Sequence, residues 1–134
     1  MKVSDLDLDS QSINFLHSEG FTELYEPQEY SVDAGILNEK SILVSAPTAS
    51  GKTLIAMLAM LAHIPKYKSK IVYLSPLRAL AAEKFNEFKK LEKTNLGRKI
   101  KVAIATGDFD SAEEKLQDSD ILILTNEKMD SLMR

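Results

Sequence analysis

Cysteine is absent from the 134 residues, which removes a disulfide framework, a thiolate zinc site and a cysteine nucleophile together. Histidine is nearly absent: His17 and His63 are too few for a histidine-rich metal site. A long hydrophobic run is missing as well. The longest, Leu54 to Ile64, is eleven residues interrupted by His63. It falls short of the roughly 20 residues a membrane-spanning helix needs and reads as a buried helix. The start, MKVSDLDLDS, alternates acidic and apolar residues. It lacks the basic-then-apolar order of an export signal. With neither cysteine nor such a signal, the expected compartment is the cytoplasm. Bulk positive charge is lacking too. The 17 basic and 20 acidic residues leave a net charge of −3, so any contact with nucleic acid has to be local.

What is present belongs to a soluble folded chain. The 44% hydrophobic and 28% charged fractions exclude a collagenous, low-complexity or largely disordered polypeptide. The length suits about one domain, able to bury roughly two-thirds of its unfolded surface. No internal repeat or linker interrupts it.

Hydrophobic spacing predicts alternating helices and strands. Residues 1–35 read as an approach segment, with a short amphipathic helix over Ser10 to Phe21 that Gly20 ends. Pro27 starts a second helix, running to about Leu37. Ser41 to Ala46 reads as a buried strand, and a helix follows from about Lys52 to His63, stopped by Pro65. Lys70 to Ser75 is a second strand, and Leu77 to Lys93 carries apolar residues at helical spacing. A strand over Lys99 to Ala105, a TGDFDS turn and a short helix over Ser111 to Gln117 come next. The chain closes with a strand over Asp120 to Leu124 and a helix from Asn126, capped by Thr125 or Asn126. Apolar strands alternating with helices predict an α/β fold with a parallel sheet.

Between the first predicted strand and its helix lies APTASGKT, which is Ala46, Pro47, Thr48, Ala49, Ser50, Gly51, Lys52 and Thr53. Strand, loop and helix are the setting a phosphate-binding loop requires. Successive backbone N–H groups supply the many short donors a phosphate chain needs, and the positive end of the helix dipole adds to them. Gly51 lets the backbone approach without a clash. Lys52 is the charged donor for the β- and γ-phosphates, and the Thr53 hydroxyl is the Mg²⁺ ligand. Ala46 stands where the general pattern has its first glycine.

The same residues resemble motif I of superfamily-two helicases. Further blocks resemble the ski-like DNA helicases, the group of the archaeal Hjm-type repair helicases and the helicase domain of DNA polymerase theta. Leu24 to Gln28 (LYEPQ) resembles the Q motif, and Ser75 to Lys84 (SPLRALAAEK) resembles motif Ia. Thr106 to Asp110 (TGDFD) and Thr125 to Leu132 (TNEKMDSL) resemble two later strand-contact motifs. The blocks follow the family's order over nearly the whole chain. The resemblance implies a RecA-like P-loop NTPase fold, ATP and Mg²⁺ as cofactors, and DNA as partner, with 3′-to-5′ translocation and repair or restart of stalled forks.

Residue by residue, the resemblance implies that Gln28 reads the adenine edge. Alone, Gln28 after Pro27 reads first as a polar helix-start residue, and the phosphate loop beside it turns the balance to the functional reading. DEAD-box relatives place an aromatic further upstream, where this chain has Gln11. Phe21 and Tyr25 are the candidates to flank the base instead, and both are equally readable as core. The resemblance puts Pro76, Leu77, Arg78 and Ala79 on the single-strand track, together with Thr106, Gly107, Thr125 and Asn126. Helix starts and small hydroxyls position phosphates without reading bases. Asp108 and Asp110 read as a turn with Asx bonds rather than a metal pair. The lysines from Lys84 to Lys101 alternate with Glu83, Glu87 and Glu92 and read as a solvated face.

The family's next element is a strand ending in a D-E-x-H box, and no such box occurs in these residues. The expectation is therefore the amino-terminal part of a first RecA-like motor domain, incomplete in its later strands. Residues 1–35 would be the Q-motif approach and 36–134 the core, with the rest of the helicase as partner. Alone, such a chain is expected not to hydrolyse ATP usefully. It is also expected to self-associate through an unpaired strand at Ser41 to Ala46. Two other readings stay open: a ski-like RNA helicase, and a non-catalytic binding or regulatory fragment.

Overall fold

The computed structural model describes residues 1–45, 51–106 and 113–133. The chain divides into two compact units, Met1–Tyr67 and Lys68–Arg134.

In the first unit, α1 spans Ser10–Ser18, α2 Glu26–Asp33 and α3 Lys52–His63. Asp9 caps α1, its Oδ1 accepting from Ser12 N at 2.9 Å. The helix ends in a Schellman turn through Gly20, with φ +89. There Phe21 N donates to Leu16 O and Gly20 N to His17 O. α2 stops at Asp33, and a 3-10 turn over Ile36–Asn38 replaces the continuous helix expected to Leu37. α3 matches its predicted bounds. Leu54, Ile55, Met57, Leu58, Met60, Leu61 and Ala62 are buried, so it is the central helix of this unit. At its end His63 Nδ1 is bonded to Glu39 Oε1, which gives that histidine a structural partner.

The predicted strand over Ser41 to Ala46 is corrected for the described residues 41–45, which form no strand. Leu43 is 98% exposed. An apolar run becomes a strand only where a neighbour completes its hydrogen-bond ladder. The described residues give 41–45 no such neighbour.

The second unit is a parallel sheet with helices on both faces. β1 spans Ile71–Ser75, β2 Val102–Ala105 and β3 Ile121–Thr125. Their order is β1-β3-β2, all parallel. α4 (Arg78–Phe88) joins β1 to β2, and a 3-10 stretch over Lys89–Lys93 finishes the helix predicted to Lys93. α5 (Glu113–Asp118) joins β2 to β3, and α6 (Asn126–Met133) follows β3. The path steps over β3 and then returns to it. Right-handed crossovers in opposite directions place their helices on opposite faces.

Side-chain alternation agrees. Ala103, Ala105, Leu122 and Leu124 form one face, against Leu116 of α5 and Met129 of α6. Tyr73, in register with Ile123, lies on the other face and meets Phe88 of α4 edge-on, with ring centroids 5.0 Å apart. β2 and β3 are buried throughout. β1 is not: Val72 and Leu74 remain exposed. In the order β1-β3-β2 both outer strands, β1 and β2, have one unpaired edge among the described residues, whereas residues 41–45 of the expected edge form no strand. No helix among them is long and apolar enough to cross a membrane.

Candidate functional site

In the first unit, α2 brings Gln28 against the start of α3. Pro27 sits in the first turn of α2, where its missing N–H costs nothing. Gln28, at the third helical position, reaches back so that its Oε1 accepts from Tyr25 N at 2.7 Å. Its Nε2 donates to Gly51 O at 3.0 Å. Gln28 is 2% exposed, and its carboxamide is bonded at both ends. An amide nitrogen has two N–H groups and an amide oxygen two lone pairs, so each atom keeps one further bond in hand.

Gly51 is the N-cap of α3, with φ +82. A Cβ there would stand 2.2 Å from Gln28 Nε2. Glycine is thus required twice, by the left-handed backbone and by the close approach of the amide. Lys52 and Thr53 open α3 immediately after it, with Lys52 exposed. Ala46, Pro47, Thr48, Ala49 and Ser50 lie outside the described residues. A groove of about 530 Å³ runs between α2 and the approach to the loop, lined by Pro27, Tyr30, Ala34, Leu43 and neighbours. Gln28, Gly51 and Lys52 are not among its lining residues. Tyr30 there donates its hydroxyl to Glu26 Oε1 at 2.6 Å, and that bond raises the phenol pKa.

In the second unit, the predicted track residues gather at the carboxy-terminal edge of the sheet. Ser75 ends β1 and is in register with Thr125, which ends β3. Ala105 is in register with Leu124, so Thr106 follows beside Thr125. Three small hydroxyl residues therefore stand in a row, all buried. Ser75 had no role from sequence; only the strand register reveals it. Ser75 Oγ donates to Leu77 O at 3.2 Å, holding the turn into α4. Pro76, Leu77, Arg78 and Ala79 are exposed along that turn. The N-cap of α4 is Leu77, which offers no side-chain cap. The first-turn amides of α4 lack intrahelical acceptors. α6 differs. Thr125 Oγ1 accepts from Lys128 N at 3.2 Å, so Thr125 caps the helix and Asn126 is its exposed first residue. Gly107, Asp108 and Asp110 lie outside the described residues. Among those described, no group of three acidic, histidine or cysteine side chains could hold a metal ion.

A family model described as DEAD/DEAH box helicase matches residues 25–134. The chain is 49% identical over 134 residues to the ATP-dependent DNA helicase Hel308 of Pyrococcus horikoshii, covering 100% of this chain and 18% of that protein. Hel308 of Pyrococcus abyssi is 47% identical over the same coverage. Hel308 of Thermococcus kodakarensis is 42% identical, with 12% of its length covered. The chain thus spans less than a fifth of these relatives. A solved structure of a hypothetical ATP-dependent RNA helicase from Sulfolobus tokodaii shares the fold, with a TM-score of 0.76. That match covers 94% of this chain and 36% of that one at 20% identity. The likeness agrees with the expected RecA-like α/β class.

Proposed function

Because the chain belongs to the DEAD/DEAH box helicase family, we propose that it is the nucleotide-cradling part of an ATP-dependent DNA helicase. In this reading, residues 1–134 are the amino-terminal part of a first RecA-like motor domain. Residues 1–35 form the Q-motif approach and 36–134 the core. The observation that carries it is the bond from Gln28 Nε2 to Gly51 O. It seats a purine-reading amide beside the helix start that bears Lys52 and Thr53.

The residues fit MgATP. Gln28 offers its remaining N–H to adenine N7 and its remaining lone pair to the N6 amino group. Lys52 supplies charge to the β- and γ-phosphates, and Ala46 to Gly51 supply backbone donors. Thr53 offers Mg²⁺ one hydroxyl, the other ligands being phosphate oxygens and water. When bound, MgATP supplies the free energy that drives translocation. The carboxy-terminal edge of the sheet is the single-strand track. The start of α4, which has no side-chain cap, would hold a phosphate on its first-turn amides, aided by Arg78, and Thr106 and Asn126 line the same edge. Contacts to backbone alone suit a motor that moves over any sequence.

The Hel308 relatives are named as DNA helicases, which favours DNA over RNA. The proposed partners are single-stranded or forked DNA and the remainder of the helicase. The proposed compartment is the cytoplasm. The isolated chain is expected to hydrolyse ATP negligibly, and the open edges of the outer strands β1 and β2 support self-association.

Calorimetry with MgADP and MgATP tests the cradle beside Lys52→Ala. Binding lost in the variant supports the reading. Equal binding by both proteins would refute it. Matched DNA and RNA single strands then separate the two helicase classes.

A further inference from the structure

We propose that Glu39 and His63 form a clasp that positions α3, and with it Lys52 and Thr53, for the triphosphate, an inference that rests on the phosphate-loop reading above. Neither residue touches the nucleotide. Both are positioning residues that act through the helix.

The backbone gives the first sign. Glu39 is the one non-glycine with left-handed backbone among the described residues, at φ +62. A side chain strains that conformation and glycine does not. Such strain persists only where the surroundings enforce it, and it gathers at functional positions. The side chain supplies the reason. Glu39 Oε1 accepts from Nδ1 of His63, the last residue of α3. In the neutral Nδ1–H tautomer and in the imidazolium alike, Nδ1 is a donor. The Glu39 and His63 side chains are 36% and 20% exposed. A pair so open to solvent adds little to stability. Stability therefore does not explain a strained glutamate where glycine would fit.

Position does. Each partner is held from behind. Glu39 follows the 3-10 turn Ile36–Asn38, whose Leu37 is buried and which packs against α3. Asn38 N and Lys40 N both donate to Gly35 O, at 2.9 and 3.2 Å. His63 O accepts from Lys66 N and Tyr67 N, both at 3.0 Å, and its ring centroid lies 5.1 Å from that of Tyr67. The clasp thus ties a hydrogen-bonded turn to the carboxy-terminal end of α3. Gln28 ties the amino-terminal end through Gly51 O. α3 has 12 residues, a length of about 18 Å. A rod of that length held at both ends does not pivot. Lys52 and Thr53 stand on its first turn, so their place is set before the phosphates arrive and binding costs less ordering.

The test titrates the chain with MgATP and, separately, with magnesium tripolyphosphate, which has the phosphates and no base. Urea denaturation follows stability alongside. Glu39→Gly removes the clasp and the backbone strain together. It is expected to weaken both ligands about fivefold, the cost of ordering the helix anew. Its urea midpoint is expected to stay close to the parent's. His63→Ala is expected to weaken both ligands by the same factor, and the double variant no further, because the two residues share one bond. His63→Asn, whose amide nitrogen takes the place of Nδ1, restores most of the affinity. Unchanged binding by Glu39→Gly overturns the clasp. So do weakening of MgATP alone, additive losses in the double variant, no rescue by asparagine, and losses that merely follow the urea midpoint. Lys52→Ala keeps the two ideas apart. If that variant holds tripolyphosphate as well as the parent chain does, the phosphate-loop reading fails first.

Discussion

The two ends of the sheet are built from opposite materials. At the amino-terminal end, Asp120 gathers the strands. Its Oδ1 accepts from Arg98 Nε at 3.1 Å, and its Oδ2 accepts from Lys101 N at 2.9 Å. Its own N–H donates to Lys101 O, and its carbonyl accepts from Ile71 N, both at 2.8 Å. Lys70 bonds the carbonyls of Leu116 and Gln117, closing the carboxy terminus of α5. Glu92 Oε2 accepts from Val102 N at 3.0 Å. At the carboxy-terminal end, the row Ser75, Thr125 and Thr106 is uncharged, and α4 begins without a side-chain cap. One end spends its charged groups on the fold, whereas the other starts a helix with no side-chain cap at its N-cap Leu77. In parallel α/β sheets ligands sit at the carboxyl ends of strands. Under the proposed function, polar anchoring at the far end would leave this end available to a ligand.

Substitutions at each end put that contrast to measurement. Asp120→Ala removes the bonds from Arg98 Nε and Lys101 N in a site where the carboxylate is 14% exposed. It is expected to cost about 2–4 kcal/mol, read by urea denaturation. A loss below about 1 kcal/mol would mean that the amino-terminal end is not the clamp. Thr125→Ala removes the cap of α6 and is expected to cost about 1 kcal/mol, with Thr125→Ser restoring most of it. If serine fails to rescue, the cap assignment is wrong. Arg78→Ala is expected to change stability by less than about 0.5 kcal/mol. It should nevertheless weaken single-stranded DNA binding and reduce the slope of log affinity against log salt by roughly one. An unchanged slope would remove Arg78 from the track.

Much of this was legible beforehand, for reasons that differ by element. α3 is a long apolar run closed by Pro65, and it appears within its predicted bounds. α4 showed in its helical spacing, although the last turn tightens to 3-10 before Thr94. β2 and β3 are apolar runs covered on both faces, the case in which composition alone identifies a strand. Ser41 to Ser45 has similar composition and forms no strand, because pairing is a property of neighbours and not of the segment. Within the site, the sequence offered APTASGKT as a motif; its residues 46–50 lie outside the described residues, and Lys52 and Thr53 open α3 as expected. The second bond of Gln28 was not legible, since its partner Gly51 lies 23 residues away. Nor was Ser75, whose place in the hydroxyl row depends on strand register.

The doubly anchored amide of Gln28 carries one more consequence. A carboxamide can turn over and exchange its oxygen and nitrogen at little cost when nothing holds it. Here a half-turn would set Oε1 against the Gly51 carbonyl and Nε2 against the Tyr25 N–H, opposing like dipoles at both contacts. The orientation of the amide is therefore set by the protein itself, and in the proposed cradle it would be set before any purine arrives. An edge with an amino group beside N7 meets its complement. An edge with a carbonyl at that place meets oxygen facing oxygen. Under the proposed function, the choice between adenine and guanine would reside in a helix cap, and a change to the cap would change nucleotide preference.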